Sequence, residues 1–147
     1  MNEKIKYNYP VIQKDIIRIS TKESEAHIVY PHSIDFIIPI GTPIMAAADG
    51  IVIDIKDDSD KSGADRKFEK EENFIEIRHY KPQQYDQYSY YGHIKKGSAR
   101  VKVGDKVIAG QIIAESGNTG WLANILEPHL HFMVAEYDYR TIEINFI

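Results

Sequence analysis

The pattern that most constrains the fold of this chain is a series of short apolar runs separated by glycine turns. The runs are rich in β-branched residues, as in Ile51-Val52-Ile53, or alternate apolar with polar side chains, as in 74–80. Asp49-Gly50 stands between two such runs, which is typical of a tight β-turn. No segment has a convincing 3.6-residue period of apolar side chains, so the sequence predicts strands rather than helices.

These runs predict an all-β fold, with a small antiparallel sheet arranged as a sandwich or a partly open barrel. A chain of 147 residues is long enough for its own core, so we expect a single domain over 1–147. The strands are predicted over 11–19, 34–40, 51–55, 74–80, 85–93 and 141–146. The charged segment 57–73 is predicted as a long loop, either a functional rim or a solvated excursion.

Composition excludes several classes of function. The net charge is −4, from 22 acidic and 18 basic residues, which gives no electrostatic reason to expect a nucleic-acid partner. There is no cysteine, so a metal site would need His, Asp or Glu ligands. No apolar run reaches the length of a membrane span, and 1–7 lacks the apolar core of a secretory signal. With no such signal in the sequence as given, the protein is expected in the cytoplasm. Trimming of a secretory signal, or another export route, would place it outside the cell.

Two histidines near the C-terminus, His129 and His131, stand in an apolar run. Side chains alternate faces along a strand, so the two imidazoles are expected on one face. Leu130 and Phe132 are expected on the opposite face, in the core. Paired imidazoles on one face suit a metal site or a proton-transfer site.

Other parts of the chain supply partners for this pair. A hydrolytic zinc site needs three protein ligands, an open position for water and a group that moves the proton of that water. Asp35, a histidine upstream of it and one histidine of the terminal pair would provide two imidazoles and a carboxylate. The other terminal histidine and His93 would remain for proton transfer.

Short motifs in a fixed order make this chain similar to a known family. It resembles the LytM/lysostaphin-type zinc metallopeptidases, which cut peptide cross-bridges or stems in bacterial cell walls. The similarity runs over about 27–136 and leaves 1–26 as an N-terminal extension. The motifs are Asp35-Phe36, Gly41-Thr42-Pro43-Ile44-Met45-Ala46-Ala47, Asp49-Gly50-Ile51-Val52, Tyr91-Gly92-His93, Val103-Gly104-Asp105-Lys106-Val107-Ile108-Ala109-Gly110-Gln111, Ser116-Gly117-Asn118-Thr119-Gly120 and Pro128-His129-Leu130-His131-Phe132.

The resemblance implies a function and a role for each residue. It implies a zinc-dependent endopeptidase that hydrolyses peptide bonds of peptidoglycan, with the metal on the floor of a groove in the sheet. Asp35 and His131 would be zinc ligands. His93 and His129 would be the histidines that activate the water and stabilise the tetrahedral intermediate.

The first zinc ligand departs from the usual family pattern, in which a histidine lies four residues before the aspartate with a glycine between them. Here position 31 is proline, and Ser33 takes the place of the glycine. His27 and His32 remain as candidates. His32 is three residues before Asp35, a spacing that puts the two on opposite faces of a continuous strand. We favour His27, because Pro31 breaks the segment and a loop can bring His27 back.

Further alternatives stay open at the level of sequence. If neither histidine binds metal, the chain would be a catalytically inactive LytM-like domain that binds peptidoglycan or a protein partner. The segment 101–107 is also common in sugar-transport phosphocarriers and in biotinyl or lipoyl domains. Tyr91 and Asn118 are the candidate substrate contacts, with core packing and a turn as their structural alternatives.

Overall fold

A computed structural model describes residues 4–21 and 26–147. Strands supply most of the regular structure in that part of the chain, which confirms the predicted all-β class. The strands and the one α-helix follow in the order β1 (Arg18–Ser20), α1 (Ala26–Val29), β2 (Ile34–Ile37), β3 (Pro43–Met45), β4 (Gly50–Lys56), β5 (Ser62–Gly63), β6 (Phe74–His79), β7 (Gln87–Gly92), β8 (Lys106–Val107), β9 (Ile112–Glu115), β10 (Gly120–Trp121), β11 (His129–Ala135) and β12 (Thr141–Ile142). Short 3₁₀ helices lie at Gln13–Asp15, Arg66–Glu71 and Tyr137–Tyr139.

An antiparallel sheet of eight strands forms the body of the molecule. Seven of its strands follow the order β1-β2-β11-β7-β6-β4-β8, and β12 pairs with β11. Two smaller sheets lie outside it: β3 pairs with β9 in antiparallel fashion, and β5 pairs with β10 in parallel. None of these sheets closes into a barrel, so one face of the main sheet remains available for a site.

Strand β11 lies between β2 and β7 and separates the core from the functional face. Leu130, Phe132 and Val134 are fully buried in the core. Full burial of each such side chain stabilises the fold by about 1.5–3 kcal/mol. His129 and His131 alternate with them and both approach Asp35, which confirms that the two histidines share one face.

The charged segment 57–73 is largely a loop, as predicted, but it also contains the two-residue strand β5 and the 3₁₀ helix Arg66–Glu71. The Asp65 side chain accepts a hydrogen bond from the Lys67 backbone N–H and so caps this helix. Asn73 ends the loop and is fully buried. Its side chain donates to the Ser59 carbonyl and accepts from the Ser59 N–H, so the two ends of the loop are joined.

The helices are short, and one of them interrupts a predicted strand. The 3₁₀ helix at Gln13–Asp15 divides the run 11–19 because three polar residues turn the backbone there, and the Ile16 N–H bonds to the Gln13 carbonyl. The strands predicted over 34–40 and 141–146 also end early, at Ile37 and Ile142. Across the described residues, no helix has the length and apolar character needed to span a membrane.

Candidate metal and catalytic site

The register of β2 and β11 places a carboxylate opposite a histidine. Asp35 pairs with His131 across the two strands, and both side chains are buried. His131 Nδ1 lies 3.1 Å from Asp35 Oδ1. His129, two residues earlier on the same face, has Nε2 at 3.8 Å from the same oxygen.

The single-turn helix α1 brings His27 to the other oxygen of this carboxylate. His27 Nε2 lies 3.1 Å from Asp35 Oδ2, and the ring is buried. His32 instead occupies a left-handed turn with φ 64° and is exposed. The structure therefore places the favoured candidate, His27, beside Asp35 and leaves His32 outside the cluster.

His27, Asp35 and His131 have the geometry of a metal site. Each offers one ligand atom, and these atoms all lie within 4.8 Å of one another. Two ligands bound about 2.0–2.1 Å from a tetrahedral zinc ion lie about 3.3–3.4 Å apart, close to the 3.1 Å separations found here. Among the described residues neither ring nitrogen of His27 forms a hydrogen bond, although Nε2 lies 3.1 Å from the Asp35 carboxylate. A buried nitrogen of this kind is costly unless a cation or donor satisfies it, so this donor set fits a metal ion.

Charge at the cluster is shared between the carboxylate and the imidazoles. Burial alone would raise the pKa of Asp35, but its contacts with His131 and His27 outweigh burial and leave that pKa well below its usual range. Burial would lower the pKa of His131, but its contact with Asp35 prevails and raises it. Asp35 is therefore a carboxylate at neutral pH, the form that binds a cation.

His93 and His129 lie beside the cluster, each oriented by a backbone carbonyl. His93 Nδ1 is 2.6 Å from the Thr119 carbonyl oxygen, and His129 Nδ1 is 2.7 Å from that of Glu127. A carbonyl oxygen only accepts, so Nδ1 carries the proton in both rings and Nε2 is free. The two rings are nearly perpendicular, with centroids 4.5 Å apart.

Both of these imidazoles are neutral at physiological pH. Burial lowers the pKa of His93 to about 4, and the charge of His131 acts in the same direction. Burial, followed by the charge of His93, lowers the pKa of His129 to about 4. Two neutral imidazoles with free Nε2 atoms can accept a proton or, once protonated, donate a hydrogen bond.

Sequence analysis missed one carboxylate at this site. Glu72 Oε1 lies 3.0 Å from His93 Nδ1, and the Tyr90 hydroxyl donates a hydrogen bond to Glu72 Oε2. Burial prevails and raises the pKa of Glu72, although the charge of His131 and the hydrogen bond from Tyr90 act in the opposite direction. Glu72 ends a run of acidic and basic residues at 69–72, and nothing in that run distinguishes it.

A cleft of about 330 Å³ opens beside His93 and His131. It follows β11 past Met133 and is bounded on one side by the 3₁₀ helix of the 57–73 loop. Aromatic and acidic side chains line most of it: Tyr30, Phe74, Tyr90, Trp121, Tyr139, Glu69, Glu72 and Glu76. An apolar cleft with a few acidic groups beside the histidines has the shape and chemistry of a peptide-binding groove.

The two predicted substrate contacts lie outside this lining. Tyr91 is fully buried, and its hydroxyl accepts hydrogen bonds from the Ala47 N–H and the Ser89 hydroxyl. The predicted role of Tyr91 is therefore wrong, because strand alternation directs Tyr90 to the functional face and Tyr91 into the core. Asn118 is half-buried in the loop between β9 and β10.

Known proteins share this sequence and architecture. The family model described as Peptidase family M23 matches residues 30–143. The chain is 35% identical over 105 residues to the peptidoglycan DD-endopeptidase ShyA of Vibrio cholerae, covering 71% of this chain and 20% of that protein. It is 35% identical over 101 residues to the glycyl-glycine endopeptidase ALE-1 of Staphylococcus capitis, covering 69% of this chain and 23% of that protein. The chain thus spans about a fifth to a quarter of these curated relatives.

Solved structures agree with the sequence matches. A zinc-containing peptidase from Vibrio cholerae superposes with a TM-score of 0.65 and 29% identity, over 99% of this chain and 41% of that one. The similarity to the LytM/lysostaphin-type peptidases is thereby confirmed. The family match over most of the sequence, together with this fold, shows that the chain belongs to peptidase family M23.

Proposed function

We propose that this peptidase is a zinc-dependent endopeptidase that hydrolyses peptide bonds of bacterial peptidoglycan. The observation that supports this most strongly is the buried cluster of His27, Asp35 and His131, with two neutral imidazoles beside it. The substrate class rests on the relatives, since ShyA is named a peptidoglycan endopeptidase and ALE-1 a glycyl-glycine endopeptidase.

In this proposal, His27, Asp35 and His131 would hold the zinc ion. Bound zinc would lower the pKa of a coordinated water to about 7 and polarise the substrate carbonyl. The one carboxylate and two neutral imidazoles leave a net positive charge at the site. That charge favours a developing oxyanion.

His93 and His129 perform the proton transfers. One free Nε2 accepts the proton of the attacking water and later returns it to the amine that leaves. The other imidazole faces the developing oxyanion and stabilises it. The carbonyls of Thr119 and Glu127 keep each ring in the tautomer that these tasks require.

An inactive LytM-like domain is the weaker hypothesis. It was motivated by the irregular spacing between Asp35 and an upstream histidine, and α1 compensates for that spacing by carrying His27 to the carboxylate. The phosphocarrier and lipoyl-type interpretations do not apply to a member of family M23.

The test is digestion of purified peptidoglycan sacculi by the zinc-loaded protein, followed by separation of the released peptides. His131→Ala should abolish zinc binding and cleavage together. His93→Ala should retain zinc and lose about 10²–10⁴-fold in cleavage rate, the usual contribution of a general base. His32→Asn is the matched control, because His32 is exposed and Asn tolerates its left-handed backbone. Sacculus digestion by both active-site variants at the parent rate would refute the assignment.

A further inference from the structure

Glu72 occupies a slot that two glycines leave open. A Cβ on Gly92 would lie 2.9 Å from Glu72 Oε2, and a Cβ on Gly120 would lie 2.4 Å from Glu72 Cβ. Gly120 also has φ +89°, a conformation that favours glycine. Any larger residue at either position would displace Glu72, so the local backbone is shaped around this side chain.

The same backbone also orients His93. Thr119, next to Gly120, accepts the Nδ1–H of His93 through its carbonyl oxygen. Its hydroxyl accepts from the Asn73 N–H, which immediately follows Glu72. The backbone next to Glu72 is thus hydrogen-bonded to the residue whose carbonyl orients His93. These hydrogen bonds fix the positions of Glu72 and of the Thr119 carbonyl relative to the His93 ring.

The surroundings of Glu72 do not explain it as a structural ion pair. Its side chain is only 17% exposed. Among the described residues, His93 lies within ion-pair distance of the Glu72 carboxylate, and no lysine or arginine does. Burying a carboxylate costs several kcal/mol unless partners compensate for the lost water. The partners here are the Tyr90 hydroxyl, which orients the carboxylate, and the imidazole nitrogen opposite the free Nε2.

We propose that Glu72 is a positioning residue for His93, an inference that rests on the proposed peptidase function. The Thr119 carbonyl accepts the Nδ1–H and keeps Nε2 unprotonated, and the Glu72 carboxylate beside Nδ1 holds the ring in that orientation. When Nε2 accepts the proton of that water, the imidazole becomes positively charged, and the carboxylate 3.0 Å from Nδ1 stabilises that charge. The Tyr90 hydroxyl acts on His93 indirectly, because it orients the Glu72 carboxylate through its hydrogen bond.

The test compares Glu72→Gln with Glu71→Gln in the zinc-loaded protein. Glutamine fills the same slot and can still accept from Tyr90, so the fold and the zinc content should be unchanged. Glu71 is the adjacent carboxylate, and it accepts from the Ser59 hydroxyl rather than contacting a histidine. We expect kcat on sacculi to fall about 10–100-fold for Glu72→Gln at nearly constant KM, the usual cost of losing a partner that orients a functional side chain. Glu71→Gln should behave like the parent.

A second readout does not depend on activity. The proton on His93 Nδ1, observed by NMR in ¹⁵N-histidine-labelled protein, should move upfield in Glu72→Gln because the negative charge 3.0 Å from Nδ1 is lost, and should not move in Glu71→Gln. An unmoved resonance, or a kcat equal to that of Glu71→Gln in an active parent, overturns the proposal. If the parent itself cleaves no peptidoglycan, the proposed function fails, and the resonance still decides whether Glu72 acts on His93.

Discussion

Zinc should stabilise the parent and His32→Asn but not His27→Ala. The reason lies in the buried ring of His27, which forms no hydrogen bond among the described residues and has Nε2 3.1 Å from the Asp35 carboxylate. A ligand that binds only the folded state stabilises it by RT ln(1 + [L]/Kd), or about 4.1 kcal/mol at 1,000 times Kd. For a chain of this size, 1 kcal/mol corresponds to a melting-temperature change of about 2–4 °C. The parent should therefore gain about 8–16 °C when zinc is added at that excess.

The metal-free proteins should differ much less. Replacing His27 with alanine removes a buried ring whose nitrogens form no hydrogen bond, which relieves a penalty of about 1–3 kcal/mol, but it also removes the contact with the Asp35 carboxylate. It also removes the packing of a buried ring, a loss of similar size. The gain and the losses oppose each other, so without zinc His27→Ala should melt within a few degrees of the parent.

The assay is thermal unfolding followed by circular dichroism, in chelator and then in excess zinc, with bound zinc measured by elemental analysis. The informative quantity is the zinc-dependent gain in each protein, because it cancels the effect of each substitution on the metal-free fold. An equal gain in His27→Ala and the parent would show that His27 is not a ligand. Loss of the gain in His32→Asn would assign that role to His32.

Three smaller predictions test other parts of the structure. Tyr91→Phe should lower the free energy of unfolding, measured by urea denaturation, by about 1–3 kcal/mol, because it leaves the buried Ala47 N–H without its acceptor. KM should be unchanged, since Tyr91 lies in the core. Gly120→Ala should cost more, about 2–5 kcal/mol, because it combines a strained positive φ with overlap against Glu72. Burial lowers the pKa of His79, although its bond to the Asp49 carbonyl acts the other way, so the folded state binds its proton less readily than the unfolded state. Stability should therefore fall as the pH drops below about 6.5, and His79→Gln should reduce that fall in metal-free samples.

The sheet residues of the site were predictable because strands have a strict period of two. Alternation along β11 assigns His129 and His131 to one face and Leu130 and Phe132 to the other. A register shift of one residue would bury both imidazoles in the core, so the apolar pattern itself specifies their position. The same reasoning should have excluded Tyr91, which adjoins Tyr90 in a strand where only one of the two can face the cleft.

Residues outside the sheet follow no such period. His27 reaches Asp35 through a single helical turn, and a four-residue helix has too few residues to produce a 3.6-residue pattern. Glu72 is brought to the site by long-range contacts with Tyr90 and His93, and the nearby Glu69 and Glu71 are the same residue type, so the sequence does not distinguish it. The family motifs identified the chemistry of the site, whereas these two positions depend on tertiary packing.

His27, which the sequence left open against His32, and Glu72, which the sequence did not indicate, lie on segments that touch each other. Tyr30, directly after α1, donates a hydrogen bond from its hydroxyl to Glu69 in the 57–73 loop. The segment with His27 and the segment with Glu72 therefore meet at one side of the cleft, and neither belongs to the paired strands that hold Asp35 and His131. In the proposed enzyme, substitutions at this side would change metal affinity, proton transfer and cleft width while the core of β11 stays intact. This chain can thus combine an irregular first-ligand spacing with the ordered sheet of its family.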